Sequence, residues 1–466
     1  MKKFTNILIC LLLCVMTFGF VSCGGNNNPN PNFPTASMTT YGNGGMAVQK
    51  GNYLYFVNGY KAVDGMTDKS ETQNVHVGAL MMAKLDDNGN LVTTDNGQVK
   101  DEYLTVMFDR LSGYEATGLY VFGDYLYFTS PCAENESGKN GEWAKKRVTF
   151  CRIKLDKSSK VEEFYTSAVE NSNLQYNFYY NGTDTFLLVY EKGTSLITNK
   201  DEEAKSDRLV RIKIGTSTDE VLSDVTSVVM PSEQDDSIHK IFFTAKVTEG
   251  STTKYVLYRY NLVDNTKTEF YKSSSTLEVT DVAGEYVHCN FTGETNKPFK
   301  RSKFNQIANF ERVCYSDIYS KLIVAPDASM VVGLRDTNYF EFYIYNSSNP
   351  ATEELNFQDT DATSVTIIGV VNGNLIYIDN NKNVKQLSIS NVLETKKPEV
   401  RTIATLTDAE TDNFDLDGQY LYFYQTVGSN KYLHRLLINN NINTEKELVG
   451  KYLEDDVPKV EESEEE

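Results

Sequence analysis

The hexapeptide GNYLYF at 51–56 returns as GDYLYF at 123–128 and as GQYLYF at 418–423. A chain that writes one turn and one aromatic run at such distances is solving one packing problem repeatedly, and this limits its folds more than its length does. Two diverged copies, GEYVHC at 284–289 and GNLIYI at 373–378, extend the series. Weaker copies stand at Phe186–Tyr190, Ile241–Thr244 and Ser329–Val332, giving eight. The glycine suits a tight hairpin that requires a positive φ. The residues after it alternate faces as a strand does. Of the 54 rings of Tyr and Phe, 30 are tyrosines, the residue that packs its ring in a half-buried strand and keeps its hydroxyl wet.

A second signal follows the first. MMAKLDDNGNLVTT, FCRIKLDKSSKVEEFY, LVRIKIGTSTDEVLS, LYRYNLVDNTKTEFY and LHRLLINNNINTEKELV each read as strand, polar turn, strand. One unit is therefore an inner strand, a glycine turn, an aromatic strand, a variable loop, a third strand, a polar turn and an outer strand. No stretch of helical periodicity competes with this pattern. The spacing is about 45 residues from the fourth unit on, with insertions near 60–77, 133–145 and 193–206 in the earlier units. Four strands at this period predict an all-β fold, a β-propeller of seven or eight blades (eight repeats are counted) over 39–453. Two unrelated β-sandwiches are the alternative, but sandwich strands lack a fixed four-strand period. In a propeller both faces of a blade meet a neighbour, so neither Tyr53 and Tyr55 nor Leu54 and Phe56 should face water.

The termini are of another kind. Lys2 and Lys3 precede an apolar stretch from Ile7 to Val21, short for a membrane span, and small residues follow. Residues 1–22 read as a secretory signal peptide. Its end, Phe20-Val21-Ser22-Cys23, resembles the lipobox of bacterial lipoproteins. The resemblance implies cleavage before Cys23 and a lipid on its thiol, palmitate among the acyl groups, with a cell-membrane or outer-membrane address on the extracytoplasmic face. Residues 23–38 are Asn, Pro and Gly with almost no apolar content, a flexible tether. From Glu454 to Glu466 eight acids oppose one lysine, which predicts a disordered tail.

The aromatic strand, as in Leu126-Tyr-Phe-Thr-Ser130, resembles the Tyr-Trp-Thr-Asp strand of low-density-lipoprotein-receptor-type propellers. It is closer still to the bacterial lipoproteins of that group, whose blades read Gly-x-x-Ile/Leu-Tyr-Tyr/Phe. The Trp and Asp of the receptor strand are absent here. What the resemblance implies is a propeller on the cell exterior.

The formal charge of −19 argues against nucleic acid and anionic lipid as partners. Cys10 and Cys14 leave with the signal. Cys132 follows the aromatic strand of one unit and Cys151 begins its next strand, and Cys289 and Cys314 stand in the same relation in another. Each pair is either a disulfide, which an oxidising exterior permits, or two buried thiols. Their spacings match no zinc pattern, and no metal site is expected. His288 and His434 read as sheet residues. The chain lacks GxSxG, HExxH and phosphate-loop motifs, and the run DDNGN at 86–90 departs from a calcium loop and reads as a hairpin turn. Asp281 and Asp415 both lie three residues before their turn glycine, but Val48, Tyr120 and Val370 hold the equivalent places, so no acidic ring is expected. One tryptophan, Trp143, argues against a quinone cofactor, and none is expected. Trp143 with Lys145, Lys146 and Arg147 forms the candidate contact patch on a loop rim. These features favour a non-catalytic module that binds or scaffolds a protein or glycan, with no catalytic residues. The alternative is an enzyme on an extracellular polysaccharide or peptide with its site in the axial pocket.

Overall fold

A computed structural model describes residues 40–58, 60–61, 79–108, 118–131, 148–167, 174–180, 185–192, 207–214, 218–229, 240–261, 264–346, 349–406, 409–427, 430–439 and 445–452. They form eight antiparallel sheets with four core strands each, two of them carrying one extra short strand, arranged in a ring: an eight-bladed β-propeller. We number the blades in chain order as 47–108, 120–166, 174–223, 225–273, 278–315, 319–358, 365–405 and 409–448. The three weaker copies of the motif prove to be second strands like the rest, in Thr185–Glu191, Lys240–Glu249 and Met330–Arg335.

The turn between first and second strands is made as the repeat foretold. Gly51, Gly123, Gly284, Gly373 and Gly418 all take φ between +51° and +70°, a region that costs a Cβ-bearing residue about 1–2 kcal/mol. Beyond the turn the side chains alternate between two neighbours. Leu54 and Phe56 pack with Tyr422, Tyr424 and Leu433 of blade 8. Tyr55 and Val57 pack with Leu126 and Phe128 of blade 2. Leu54, Tyr55, Phe56, Leu126 and Leu421 are all fully buried. One apolar cluster fills each of the eight interfaces between blades. An open sandwich would have left one set of these strand residues wet.

Each blade takes its four core strands from one stretch of the chain, that of blade 1 interrupted by the strand Tyr60–Lys61, so no core strand is supplied from the far end of the sequence. The seam between blades 8 and 1 is held instead by its apolar cluster and by side connections. Val99 N–H donates to Gly450 O at 3.0 Å, Tyr452 N–H donates to Gln98 Oε1 at 3.0 Å, and Lys451 pairs with Asp101. Tyr60–Lys61 adds to the third strand of blade 8, Lys61 facing Asn430. At the start of the described chain, Thr40–Tyr41 lies on the inner edge of blade 2, Thr40 facing Phe122. The DDNGN run is the turn it was expected to be: Asp86 Oδ1 accepts from the N–H groups of Asn88 and Asn90, both at 2.8 Å.

Candidate functional site

Across blades 2, 5 and 8 the strand register aligns four side chains in a row, one from each strand. The rows are Tyr120–Tyr127–Arg152–Glu162, Asp281–His288–Arg301–Glu311 and Asp415–Tyr422–Arg435–Glu447. In each, the arginine Nε donates to the glutamate, at 2.8, 2.5 and 2.7 Å respectively. Each guanidinium also covers the first aromatic of the repeat, Tyr125, Tyr286 or Tyr420, at 4.3, 4.2 and 4.2 Å from the ring centre. The clamp desolvates a cation and holds it by charge-assisted hydrogen bonds and by the ring face. The inner end of the row, on the axial wall, is thereby fixed in place. This row was missed in the sequence, although arginine recurs one strand after the motif in CRIK, KRSK and HRLL.

The inner residues are where the chemistry gathers. Asp415 and Asp417 are two apart on the strand Ala409–Asp417, so they share a face, and both are half-buried. The glycine-rich segment 42–46 lies against them. Asn43 Nδ2 donates to Asp415 Oδ1 and to Leu416 O, both at 2.8 Å, and Met46 N–H reaches Asp415 Oδ2 at 3.4 Å. A Cβ on Gly45 would fall 1.6 Å from Asp415 Oδ2, so the approach requires glycine. Burial pushes the Asp415 carboxyl above its ordinary value, against the pull of the Asn43 amide and the Met46 and Leu416 N–H groups. Burial, then the charge of Asp415, pushes Asp417 up to about 7, opposed only by the Gly418 N–H. The Tyr120 hydroxyl, which donates to Tyr176 O at 3.2 Å, is raised by its own burial and then by Asp415 and Asp417. Both carboxyls are thus raised, Asp417 to about 7 and Asp415 by burial against hydrogen bonds that favour its charge.

Blade 5 carries a simpler version. Asp281 is pushed to about 6 by burial, with the Val282 N–H pulling it back, and Ala283 takes the place that Asp417 holds in blade 8. His288, next in the row, is fully buried, stacks on Phe299 at 5.8 Å, and has no partner at either ring nitrogen among the described residues. Burial, then Arg301, pushes it down to about 3. His434 is likewise a buried strand residue, lowered to about 4 chiefly by burial.

For Cys289 and Cys314 the disulfide alternative is corrected. Cys289 packs toward blade 4 and Cys314 toward blade 6. They sit on strands separated by a third, with Cys289 facing Lys300 and Cys314 facing Phe299 on that middle strand. Two strand spacings amount to about 9.6 Å, beyond disulfide reach, and the two are not bonded. Cys151 is a buried free thiol in the seam between blades 1 and 2. Its expected partner Cys132 lies outside the described residues, as do Cys23, Trp143, Lys145, Lys146 and Arg147.

Comparison with known proteins adds the fold and little else. No family model matches the chain, and no curated protein matches it in sequence. A Bacteroides uniformis protein assigned as a 6-phosphogluconolactonase is 11% identical over 70% of this chain and 100% of its own, with a TM-score of 0.38. An oligogalacturonate lyase solved with manganese is 9% identical over 83% and 99%, at 0.41. A prolyl endopeptidase is 11% identical over 85% of this chain but only 54% of its own, at 0.44. At these identities the likeness speaks to fold alone. The expectation of a non-catalytic module is corrected: enzymes stand among the structures this chain is similar to.

Proposed function

We propose that the protein is an extracytoplasmic enzyme that hydrolyses a glycan by acid–base catalysis at Asp415 and Asp417 on the axial wall. The observation that carries this is the pair itself: two half-buried carboxylates on one strand face, Asp417 raised to about 7 and Asp415 hydrogen-bonded by Asn43 and Met46. Asp417 gives its proton to the glycosidic oxygen as the C–O bond breaks. Asp415, as carboxylate, takes a proton from the water whose oxygen bonds to the anomeric carbon. General acid–base steps of this kind are worth 10²–10⁴-fold, and paired carboxylates are the usual equipment for glycosides. The Tyr120 hydroxyl stands close enough for its titration to feel both acids, and it supplies a neutral polar group beside the cut. The test is release of reducing ends from a panel of polysaccharides by the domain 39–453. Cleavage lost in Asp417→Asn supports the reading; cleavage of peptides instead, or of neither, overturns it.

The same reading places the domain on a lipid anchor at Cys23. The lipobox-like end of the signal supports this, and among the described residues no helix is long and apolar enough to cross a membrane. Burial of acyl methylenes at about 0.8 kcal/mol each is sufficient to hold a folded domain at a surface. Cys23→Ala should move the protein from the membrane fraction to the soluble fraction, and retention of the variant in membranes sinks the anchor.

A further inference from the structure

A cavity of about 480 Å³ opens at the turn end of blade 7, within the size range of small-molecule sites. Its walls come from the turn Asn372–Gly373, from Asn374 on the second strand, from Gln386 and Ser388 on the third, and from the connection that carries Ser390 and Glu399 to Arg401 on the outer strand. Asn374, Gln386 and Ser388 share a strand face with Ile376 and Val384, which pack on blade 8, so the cavity lies on the blade 8 side. The turn it borders corresponds to the Gly418 turn of blade 8, immediately after Asp417. The cavity and the acid pair therefore share one rim of the propeller, one blade apart.

We infer that this cavity is a carbohydrate subsite, which holds a stretch of the glycan away from the bond being cut; the inference rests on the glycan reading above. The lining argues for sugar. It consists of amides, hydroxyls, one carboxylate and one guanidinium, with no apolar side chain. Each sugar hydroxyl both donates and accepts, and such a mixed set satisfies both roles. A peptide would call for apolar side-chain pockets or an open strand edge. Glu399 is held by Asn391, whose Nδ2 donates to it at 3.0 Å, which fixes an acceptor in the wall. Arg401 is exposed and makes no ion pair or hydrogen bond among the described residues, so its fork of donors is available to vicinal hydroxyls or to a uronic carboxylate. The frame is rigid. Ser388 Oγ caps the helix Ile389–Thr395 by accepting from Asn391 N–H at 3.3 Å, and Asn374 Nδ2 donates back to Asn372 O at 2.9 Å to brace the turn.

The experiment is binding without turnover. Asp417→Asn is applied to an immobilised panel of neutral and uronic oligosaccharides of six or more rings, beside a panel of hexapeptides. Binding of a sugar, weakened about tenfold on adding Arg401→Ala and again on adding Ser390→Ala, with unchanged melting temperatures, is expected. A sugar bound equally well by all three proteins, no sugar bound, or peptides bound as tightly as sugars overturns the subsite. The two readings fail separately. Sugar binding that depends on Arg401 in a protein that cuts no glycan removes the enzyme and keeps the subsite. Glycan cleavage unaffected by Arg401→Ala, in binding as in KM, removes the subsite and keeps the enzyme.

Discussion

Blades 5 and 8 place an aspartate at the same point of the same row, behind the same arginine–glutamate clamp, yet their inner ends differ. In blade 5, Asp281 stands alone, with Ala283 beside it and a neutral histidine behind. In blade 8 a second acid, Asp417, occupies the alanine's place, and the segment 42–46 brings Asn43 and Met46 onto Asp415. Blade 5 shows what the repeat builds unaided, an isolated carboxyl raised to about 6 by burial. Blade 8 shows what a change two residues away and a loop from the other end of the chain add, a coupled pair with one member near 7. A repeat supplies positions, and departures from the repeat supply chemistry.

The sharpest break would come from turnover. Asp417→Asn is expected to lower glycan cleavage by roughly 10²-fold or more, while Asp281→Asn leaves it nearly unchanged; equal losses in both would erase the distinction between the blades. The packing beneath the two sites should be indifferent to it. Leu421→Ala in blade 8 should cost about 2–5 kcal/mol in urea denaturation, and so should Leu126→Ala in blade 2, because both leucines are fully buried between blades. A cost below 1 kcal/mol at either would contradict the matched packing.

The loop is tested next. Gly45→Ala must displace Asp415 or the segment itself, at about 1–3 kcal/mol, with a drop in activity alongside; a variant as stable and active as the parent would show that the contact decides nothing. The acid pair also has a sign in stability. Asp417 keeps a proton in the fold up to about 7, whereas the unfolded chain releases it near 3.8. Stability therefore falls as pH rises through that window, and Asp417→Asn should be more stable than the parent above pH 7, by roughly 1–2 kcal/mol. The two should converge below 3.8. A variant less stable at pH 8 would mean that the carboxyl holds the fold together.

The smallest effect belongs to blade 5. His288 is depressed from 6.5 to about 3 in the fold, so the unfolded chain binds its proton first. The contribution is full above pH 6.5 and declines as pH falls toward 3. His288→Phe, which leaves no ring nitrogen buried, should flatten the pH dependence of unfolding by up to one proton in that window. An unchanged slope would show that the ring finds a partner.

The four-stranded unit, strand order, turn glycines and two-sided burial were legible, and the blade number to seven or eight, because each rests on local residues repeated at a fixed interval. Leu54 and Tyr55 had to face opposite neighbours once they were adjacent on a strand. The pair Cys289 and Cys314 misled because equivalent places in sequence say nothing of a strand lying between them. Asp415 does not stand out from the sequence, because the repeat puts Val48, Tyr120 and Val370 at the equivalent places and only the fold brings Asn43 onto it.

The sequence alone determined an all-β ring of four-stranded units and marked the two ends as foreign to it, because periodicity and composition are properties of neighbours along the chain. Only the tertiary structure decided that Asn43 and Gly45 meet Asp415, more than 360 residues away. It also decided that the cavity of blade 7 opens on the same rim as Asp417. Closing a ring brings together residues that no spacing relates, and the burial that raises an aspartate to about 7 exists only once that closure has removed the water.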